Sequence, residues 1–105
     1  MLIQLNTDKN LTIHSEYQAQ IEEKINTSLQ RFAAHISRIE VHLSDENGSR
    51  NGQEDKRCLL EVRMDGRSPI AVSNIGQTYD LALNGALNKA VHALDSVVGK
   101  LQDRI

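Results

Sequence analysis

The segment DENGSRNGQEDK gathers acids, amides and glycines in a pattern that could bind a cation. Asp45, Asn47 and Ser49 place oxygens at the alternate positions that open a calcium-binding loop. Arg50 stands where that loop needs its turn glycine, and Lys56 stands where it needs a bidentate glutamate. We therefore expect a mobile hairpin loop that binds no metal.

Metal coordination or nucleophilic catalysis could also involve four side chains in and around this segment, His42, Asp45, Glu46 and Cys58. Their spacing matches neither CxxC nor HxxxH, the usual patterns of a metal site. Catalysis by Cys58 would need an exposed thiol beside a base such as His42, whereas strand alternation turns Cys58 towards the core. The sequence favours a buried structural cysteine.

Other catalytic signatures are also missing from the sequence. There is neither a phosphate-binding loop nor a dinucleotide-binding glycine fingerprint. The four histidines have no recognisable catalytic context; they are His14, His35, His42 and His92. We expect a protein that is not an enzyme and has no cofactor and no small-molecule substrate.

Length and composition indicate one globular domain over residues 1–105, since 39% of the 105 residues are hydrophobic. Twelve Lys and Arg against fourteen Asp and Glu, with a pI near 6.0, argue against a general polycation. A single cysteine and a start, MLIQLNTDKN, without a secretory pattern favour the cytoplasm. No apolar run is long enough to predict a membrane span.

Two amphipathic helices must position these residues. The first should begin near Ser15, which can cap it with Gln18 at the capping-box distance. Its apolar face should carry residues spaced by three or four, namely Tyr17, Ile21, Ile25, Leu29 and Phe32. The last helix should bury Tyr79, Leu83, Ala86, Leu87, Ala90, Leu94, Val97, Val98 and Leu101, with Gly85 and Gly99 weakening it.

Strand patterns fill the remainder of the chain. LIQL is a short candidate strand, and PIAVS follows an Asp-Gly turn signal with Pro69 at its start. Two antiparallel strands should have core faces formed by Ile39, Val41 and Leu43 and by Cys58, Leu60, Val62 and Met64. The order β-α-β-β-β-α predicts an α+β fold, a four-stranded mixed sheet with two helices packed on one face.

The other sheet face should remain open to solvent. Alternation turns a row of mixed charge towards this face, comprising Glu40, His42, Arg57, Leu59, Glu61 and Arg63. This row could form cross-strand ion pairs, or a contact surface, or both. The hairpin is the only slightly basic region, through Lys56, Arg57 and Arg63 and with Arg50 or Arg67 as further candidates. Few aromatic residues argue against base stacking.

The element order, the segment RIEVHL and the helix opening GQTYDLALNGALNKAVHAL resemble the ribosome hibernation-promoting factor and ribosome-associated inhibitor family, also called the sigma-54 modulation protein family. The resemblance covers nearly the whole chain. Family members open their last helix with a Gly-x-Asp-Met-Tyr-like element and continue to Asp-Lys-Leu. Comparable places here are held by Gly76, Tyr79, Gly85, Asn88 and Lys89.

This resemblance implies a stress-response factor that docks on ribosomal RNA of the small subunit, where messenger and transfer RNA would lie, and represses translation by occlusion. It implies no cofactor. Lys24 and Lys89 match basic places in the family, and His92 stands where members often carry Arg. Lys100 and Arg104 remain in the last segment, DSVVGKLQDRI, which replaces a Lys-rich stretch. The predicted RNA-binding set is therefore Lys24, Lys56, Arg57, Arg63, Lys89, His92 and Lys100.

That replacement supports an alternative function. A protein-binding regulatory module could keep the fold after losing the basic ribosome-binding surface. Its partner would be another protein, such as the alternative sigma factor that the family name suggests, or a second copy of this chain. Salt-dependent sedimentation with small ribosomal subunits distinguishes the two functions.

Overall fold

The computed structural model describes residues 1–7, 15–45 and 56–102, with side-chain surroundings up to residue 99. The order of elements is the predicted β-α-β-β-β-α, with a short 3-10 helix after the first α-helix. The elements are β1 (Leu2–Thr7), α1 (Ser15–Leu29), the 3-10 helix (Gln30–His35), β2 (Ile36–Asp45), β3 (Lys56–Met64), β4 (Ile70–Gly76) and α2 (Tyr79–Gln102).

The four strands form one mixed sheet in the order β1-β2-β3-β4. The β1 strand runs parallel to β2, which is possible because α1 carries the chain back between them. The β2, β3 and β4 strands follow as antiparallel neighbours. The predicted mixed sheet is confirmed.

One sheet face and both helices enclose a single core. The alternating residues of β2 and β3 that were predicted to face inward are all buried, from Ile39 at 0% exposure to Met64 at 7%. They contact buried residues of both helices, including Ile21, Ile25 and Leu94. The predicted placement of the helices on one face is therefore confirmed, because period-two burial leaves the second sheet face uncovered.

The α1 helix begins at Ser15, as predicted, but ends earlier than its apolar spacing indicates. Phe32 was assigned to the same α-helix, and this is wrong: it lies in the 3-10 helix, although it is buried. A 3-10 helix has three residues per turn, so Phe32 still follows Leu29 on the same side. The spacing therefore reports burial correctly and the type of helix incorrectly.

The start of α2 is fixed by a cap and by a close approach to β4. Thr78 Oγ1 accepts a hydrogen bond from the Leu81 amide at 3.1 Å, which satisfies a free N–H of the first turn. The Asn74 amide of β4 donates to the carbonyl oxygens of Leu81 and Ala82, each at 3.4 Å. A Cβ at Gly85 would overlap this Asn74 side chain.

The β4 strand extends from Ile70 to Gly76, beyond the PIAVS segment predicted for it. The turn before it contains Gly66 at φ +70°, a conformation that glycine adopts readily. The mobile loop was predicted from Asp45 to Lys56; these two end residues belong to β2 and β3, and residues 46–55 lie outside the described residues. Within the described ranges, neither helix combines the length and the apolarity needed to cross a membrane.

Candidate nucleic-acid interface

The cationic side chains predicted to contact RNA fall on separate parts of the surface. Lys24 lies on α1, Lys89 and His92 lie on α2, and three more lie on β3: Lys56, Arg57 and Arg63. Alternation places Lys56 on the helix-covered face of β3 and Arg63 on the open face. The basic hairpin of the sequence is therefore divided between two sides of the sheet.

Lys24 lies at the contact between the two helices. Its Nζ is 3.5 Å from Asp80 Oδ1 and 3.5 Å from Asn84 Oδ1, both on α2. Tyr17 donates its hydroxyl proton to the same Asp80 oxygen at 3.1 Å. Burial, and then the Asp80 charge, raise the pKa of Tyr17 well above its ordinary value, so this phenol stays protonated as a donor. The charge of Lys24 is already partly offset within the protein.

A second ion pair joins the 3-10 helix to α2. Arg31 Nη2 donates to Asp95 Oδ2 at 2.9 Å, and its guanidinium lies 4.4 Å from the centre of the Phe32 ring. Sequence patterns did not single out Arg31. Its partner is 64 residues away in the sequence, so the pair forms only because the 3-10 helix and α2 lie side by side in the fold.

The open sheet face carries the predicted ion pairs. Arg63 Nε donates to Glu40 Oε2 at 2.7 Å, and Arg38 Nη2 donates to the same oxygen at 3.3 Å. The Arg63 hydrogen bond lowers the pKa of Glu40 below its ordinary value and raises that of Arg63. His42 Nε2 lies 3.1 Å from Glu61 Oε1, without the alignment of a hydrogen bond. The ion-pair interpretation of this row is therefore correct.

The two remaining hairpin cations lie at the start of β3. Lys56 Nζ is 3.1 Å from Asp45 Oδ2 and 5.9 Å from the centre of the Tyr79 ring. Arg57 is half-buried on the open face. Lys56 thus contacts both the end of β2 and the start of α2.

A different environment surrounds the cations where α2 meets the outer edge of β4. Lys89 Nζ donates to the Ser73 backbone oxygen at 2.7 Å, which brings the ammonium to the strand edge. His92 is exposed one turn further along the same side of α2. Arg67, in the β3–β4 turn, is exposed and lines a surface hollow together with Val97 of α2. We refer to Arg67, Lys89 and His92 as the α2–β4 edge.

The cations of the α2–β4 edge differ from the other described cations in whether a carboxylate lies nearby. Five described cationic side chains lie within 4.0 Å of a carboxylate: Lys24, Arg31, Arg38, Lys56 and Arg63. Among the described side chains, no carboxylate lies within that distance of Arg67 or Lys89. Their charges remain available for an anionic partner. Lys100 belongs to α2, but its side chain lies outside the described ones.

The residues considered for catalysis are separated by the sheet. Cys58 is completely buried, and burial raises the pKa of its thiol to about 12. His42 points to the opposite, open face beside Glu61. Across the described ranges, no group of three or more His, Cys, Asp and Glu side chains could hold a metal ion. The metal-free loop stays a prediction, since most of it lies outside those ranges.

Sequence patterns did not identify several contacts that join the elements. Arg38 shares Glu40 with Arg63, and Asn74 occupies the space left by Gly85. Gly85 carried a signal, because a glycine inside a strong helix pattern often marks a close approach. The sequence does not say which side chain makes that approach.

Comparison with known proteins adds independent information. A search of curated protein sequences found no significant match. A ribosomal subunit interface protein from Coxiella burnetii has a similar structure, with a TM-score of 0.77, 18% identity, and coverage of 94% of this chain and 99% of the other. The N-terminal domain of Thermus thermophilus Protein Y gives a TM-score of 0.72 at 20% identity, covering 92% and 99% of the two chains. These likenesses support the fold.

Family membership follows from a match in sequence over almost the entire chain. The model of one family, described as sigma 54 modulation protein / S30EA ribosomal protein, matches residues 6–105. The match includes all of α1, β2, β3, β4 and α2. The chain belongs to the sigma-54 modulation protein / S30EA ribosomal protein family.

Proposed function

We propose that this protein is a non-catalytic, cytoplasmic factor that docks on the small ribosomal subunit and represses translation under stress by occupying the path of messenger and transfer RNA. The family match over residues 6–105 carries the proposal, because that family is described through a ribosomal protein. The similar Coxiella burnetii structure is described as a ribosomal subunit interface protein. Occlusion needs neither a cofactor nor a catalytic residue.

The α2–β4 edge is the part of the described surface best suited to contact ribosomal RNA. RNA presents phosphates, and cations that are not already paired with carboxylates can neutralise them. Lys89 and Arg67 meet this condition, whereas Lys24 lies 3.5 Å from Asp80 and Arg31 lies 2.9 Å from Asp95. Using a paired cation would require its carboxylate partner to be displaced or desolvated.

Salt dependence is the physical signature of this docking mode. Each phosphate contact releases counterions, so the binding constant falls as salt concentration rises. With only a few free cations in the described surface, we expect a shallow slope and modest affinity. The chain should sediment with small subunits at low salt and dissociate as salt is raised.

Two variants that lose the same charge test whether the RNA contacts the α2–β4 edge or the α1 side of the protein. Arg67→Gln/Lys89→Gln removes two charges from the α2–β4 edge, and Lys24→Gln/Arg31→Gln removes two from the α1 side. Both pairs are largely surface positions, where substitutions usually change stability by no more than about 0.5 kcal/mol. Removing one cation that touches a phosphate should lower the salt slope by about one.

The expected result is weaker cosedimentation with a reduced slope for Arg67→Gln/Lys89→Gln and near-parental binding for Lys24→Gln/Arg31→Gln. Circular dichroism and thermal melting verify that both variants are folded. Equal losses of binding in the two variants would contradict the edge assignment. A parent protein that fails to sediment with small subunits even at low salt would contradict ribosome association itself.

The pairing of so many cations supports one other function, a regulatory module that binds a protein. Five described cations lie within 4.0 Å of a carboxylate, so the positive charge of these side chains is already offset within the protein. Offset cations suit protein contacts better than phosphate contacts. Capture of a defined protein partner without ribosomes, by a parent that does not cosediment, would favour this function.

A further inference from the structure

The open sheet face carries two adjacent rows of like charge. Arg38 of β2 is the register partner of Arg63 of β3, and Glu40 is the register partner of Glu61. Alternation places all four on the open face. A positive row therefore lies directly beside a negative row, and each row crosses both central strands.

Like charges directly opposite one another are unfavourable within a sheet. The chain offsets this cost with bonds between the rows: Glu40 accepts from Arg63 at 2.7 Å and from Arg38 at 3.3 Å. Glu61 is less engaged, at 3.8 Å from Arg63 and 3.1 Å from His42. Each guanidinium has five N–H donors, so both arginines keep donors for a further acceptor.

Part of each guanidinium side chain is accessible from solvent, although Arg38 Nε itself is buried and has no hydrogen-bond partner among the described residues. The Arg63 side chain is 42% exposed and the Arg38 side chain is 39% exposed. On the edge strands, Leu2 of β1 is exposed beside Arg38, and Ile75 of β4 is exposed towards the same face further along the sheet, beside Arg57. The face thus combines the charged rows with exposed apolar side chains on both edge strands.

Two adjacent rows of opposite sign are complementary to themselves. A two-fold axis that lies across the strands and passes between the rows would bring each arginine row of one copy over the glutamate row of the other. Arg38 would face Glu40 of the second copy, and Arg63 would face its Glu61. A two-fold axis along the strands would instead place like charges together, so the pattern selects one orientation.

We propose that the open sheet face binds a second copy of this chain, face to face, through reciprocal contacts between the Arg38/Arg63 row and the Glu40/Glu61 row. The proposal is independent of ribosome association, because the α2–β4 edge lies on the helix-covered side. Exposed ionic contacts are screened by salt, so this dimer is weak and dissociates as salt concentration rises.

Charge exchange tests the pairing directly. Arg38→Glu/Arg63→Glu makes both rows acidic, and Glu40→Arg/Glu61→Arg makes both rows basic. Each variant alone should self-associate at least about a hundredfold more weakly than the parent, because every facing pair is then repulsive. An equimolar mixture should form a heterodimer, since every facing pair is attractive again.

Native mass spectrometry at low salt separates the homodimers and the heterodimer by mass, and analytical ultracentrifugation gives their dissociation constants. Lys24→Gln/Arg31→Gln lies away from the face and should dimerise as the parent does. Milder variants replace the reversals if these fail to fold: Arg38→Gln/Arg63→Gln and Glu40→Gln/Glu61→Gln. Neither should dimerise alone, and their mixture should recover one Arg row over one Glu row.

Three outcomes would overturn the proposal. A parent that stays monomeric at low salt and high concentration would show that the face does not bind a second copy. Dimers that persist in both reversed variants would place the interface elsewhere. Mixtures of folded variants that form no heterodimer would exclude reciprocal pairing of the rows.

Discussion

Cys58 shows how one residue decides between chemistry and packing. In the sequence it follows side chains that could act as acids or bases, such as His42 and Asp45. In the structure it is fully buried in the core formed by the sheet and both helices. Burial raises the pKa of its thiol to about 12, because a thiolate would lose its hydration there. A thiol that is both buried and protonated is a poor nucleophile. Packing accounts for its presence.

We expect native Cys58 to resist thiol reagents at pH 8, where an exposed cysteine reacts readily. Reaction needs the thiolate and access to it, and the folded protein supplies neither. The measurement is the rate of labelling in buffer against the rate in denaturant, where the same thiol serves as its own control. Rapid labelling of the folded protein would contradict the burial of this side chain.

The packing of α2 on β4 depends on a close approach between Asn74 of the strand and Gly85 of the helix. Asn74 reaches across from the strand to two carbonyl oxygens of the first turn of α2. This is possible because Gly85 has no Cβ at the point where the Asn74 side chain lies. The glycine therefore exchanges some helix propensity for close packing and for hydrogen-bond acceptors for the Asn74 amide.

We predict opposite effects of two alanine substitutions in α2. Gly85→Ala should lower the free energy of unfolding by about 1–3 kcal/mol, since its new methyl group displaces Asn74. Gly99→Ala is the matched control, because a Cβ there meets open space. It should raise the free energy of unfolding by up to about 1 kcal/mol through helix propensity. Urea denaturation measures both.

A double-mutant cycle tests the cause of the Gly85→Ala effect. In an Asn74→Ala background the added methyl group has room, so Gly85→Ala should become neutral or stabilising. If Gly85→Ala destabilises both backgrounds equally, contact with Asn74 is not the reason for the glycine.

Sequence patterns succeed for the elements and fail for the contacts between them. Period-two alternation identifies the buried faces of β2 and β3, because a strand turns successive side chains to opposite sides. Contacts such as Arg31 with Asp95 depend on how two helices dock, and no local pattern encodes that geometry. The same limit applies to the predicted RNA-binding set, whose described side chains lie on different faces of the fold. The sequence supplies charges, whereas the fold decides which of them are neutralised.

At the scale of the whole molecule, the sheet separates two surfaces of different character. The helix-covered side ends at the α2–β4 edge, where Lys89 reaches the Ser73 carbonyl oxygen. The open side carries the charged rows of β2 and β3. A layer of buried side chains lies between the helices and the sheet. We propose that the first surface contacts RNA phosphates and that the second binds another copy of the chain.

We predict that these two surfaces act independently. Arg67→Gln/Lys89→Gln should reduce cosedimentation with small ribosomal subunits and leave self-association unchanged. Arg38→Gln/Arg63→Gln, with the same loss of charge, should do the reverse. The physical reason is that the two pairs of residues share no ion-pair or hydrogen-bond partner among the described contacts, and substitutions without shared partners have additive effects.

Both variants are measured in both assays at one salt concentration, so that differences in screening do not enter the comparison. Thermal melts establish that each variant remains folded. If loss of Arg38 and Arg63 also weakens cosedimentation by as much as loss of Arg67 and Lys89, the open face must itself contact the subunit or bind it as a dimer. A second copy and the ribosome would then compete for one face or depend on each other, and the assignment of separate surfaces would be wrong.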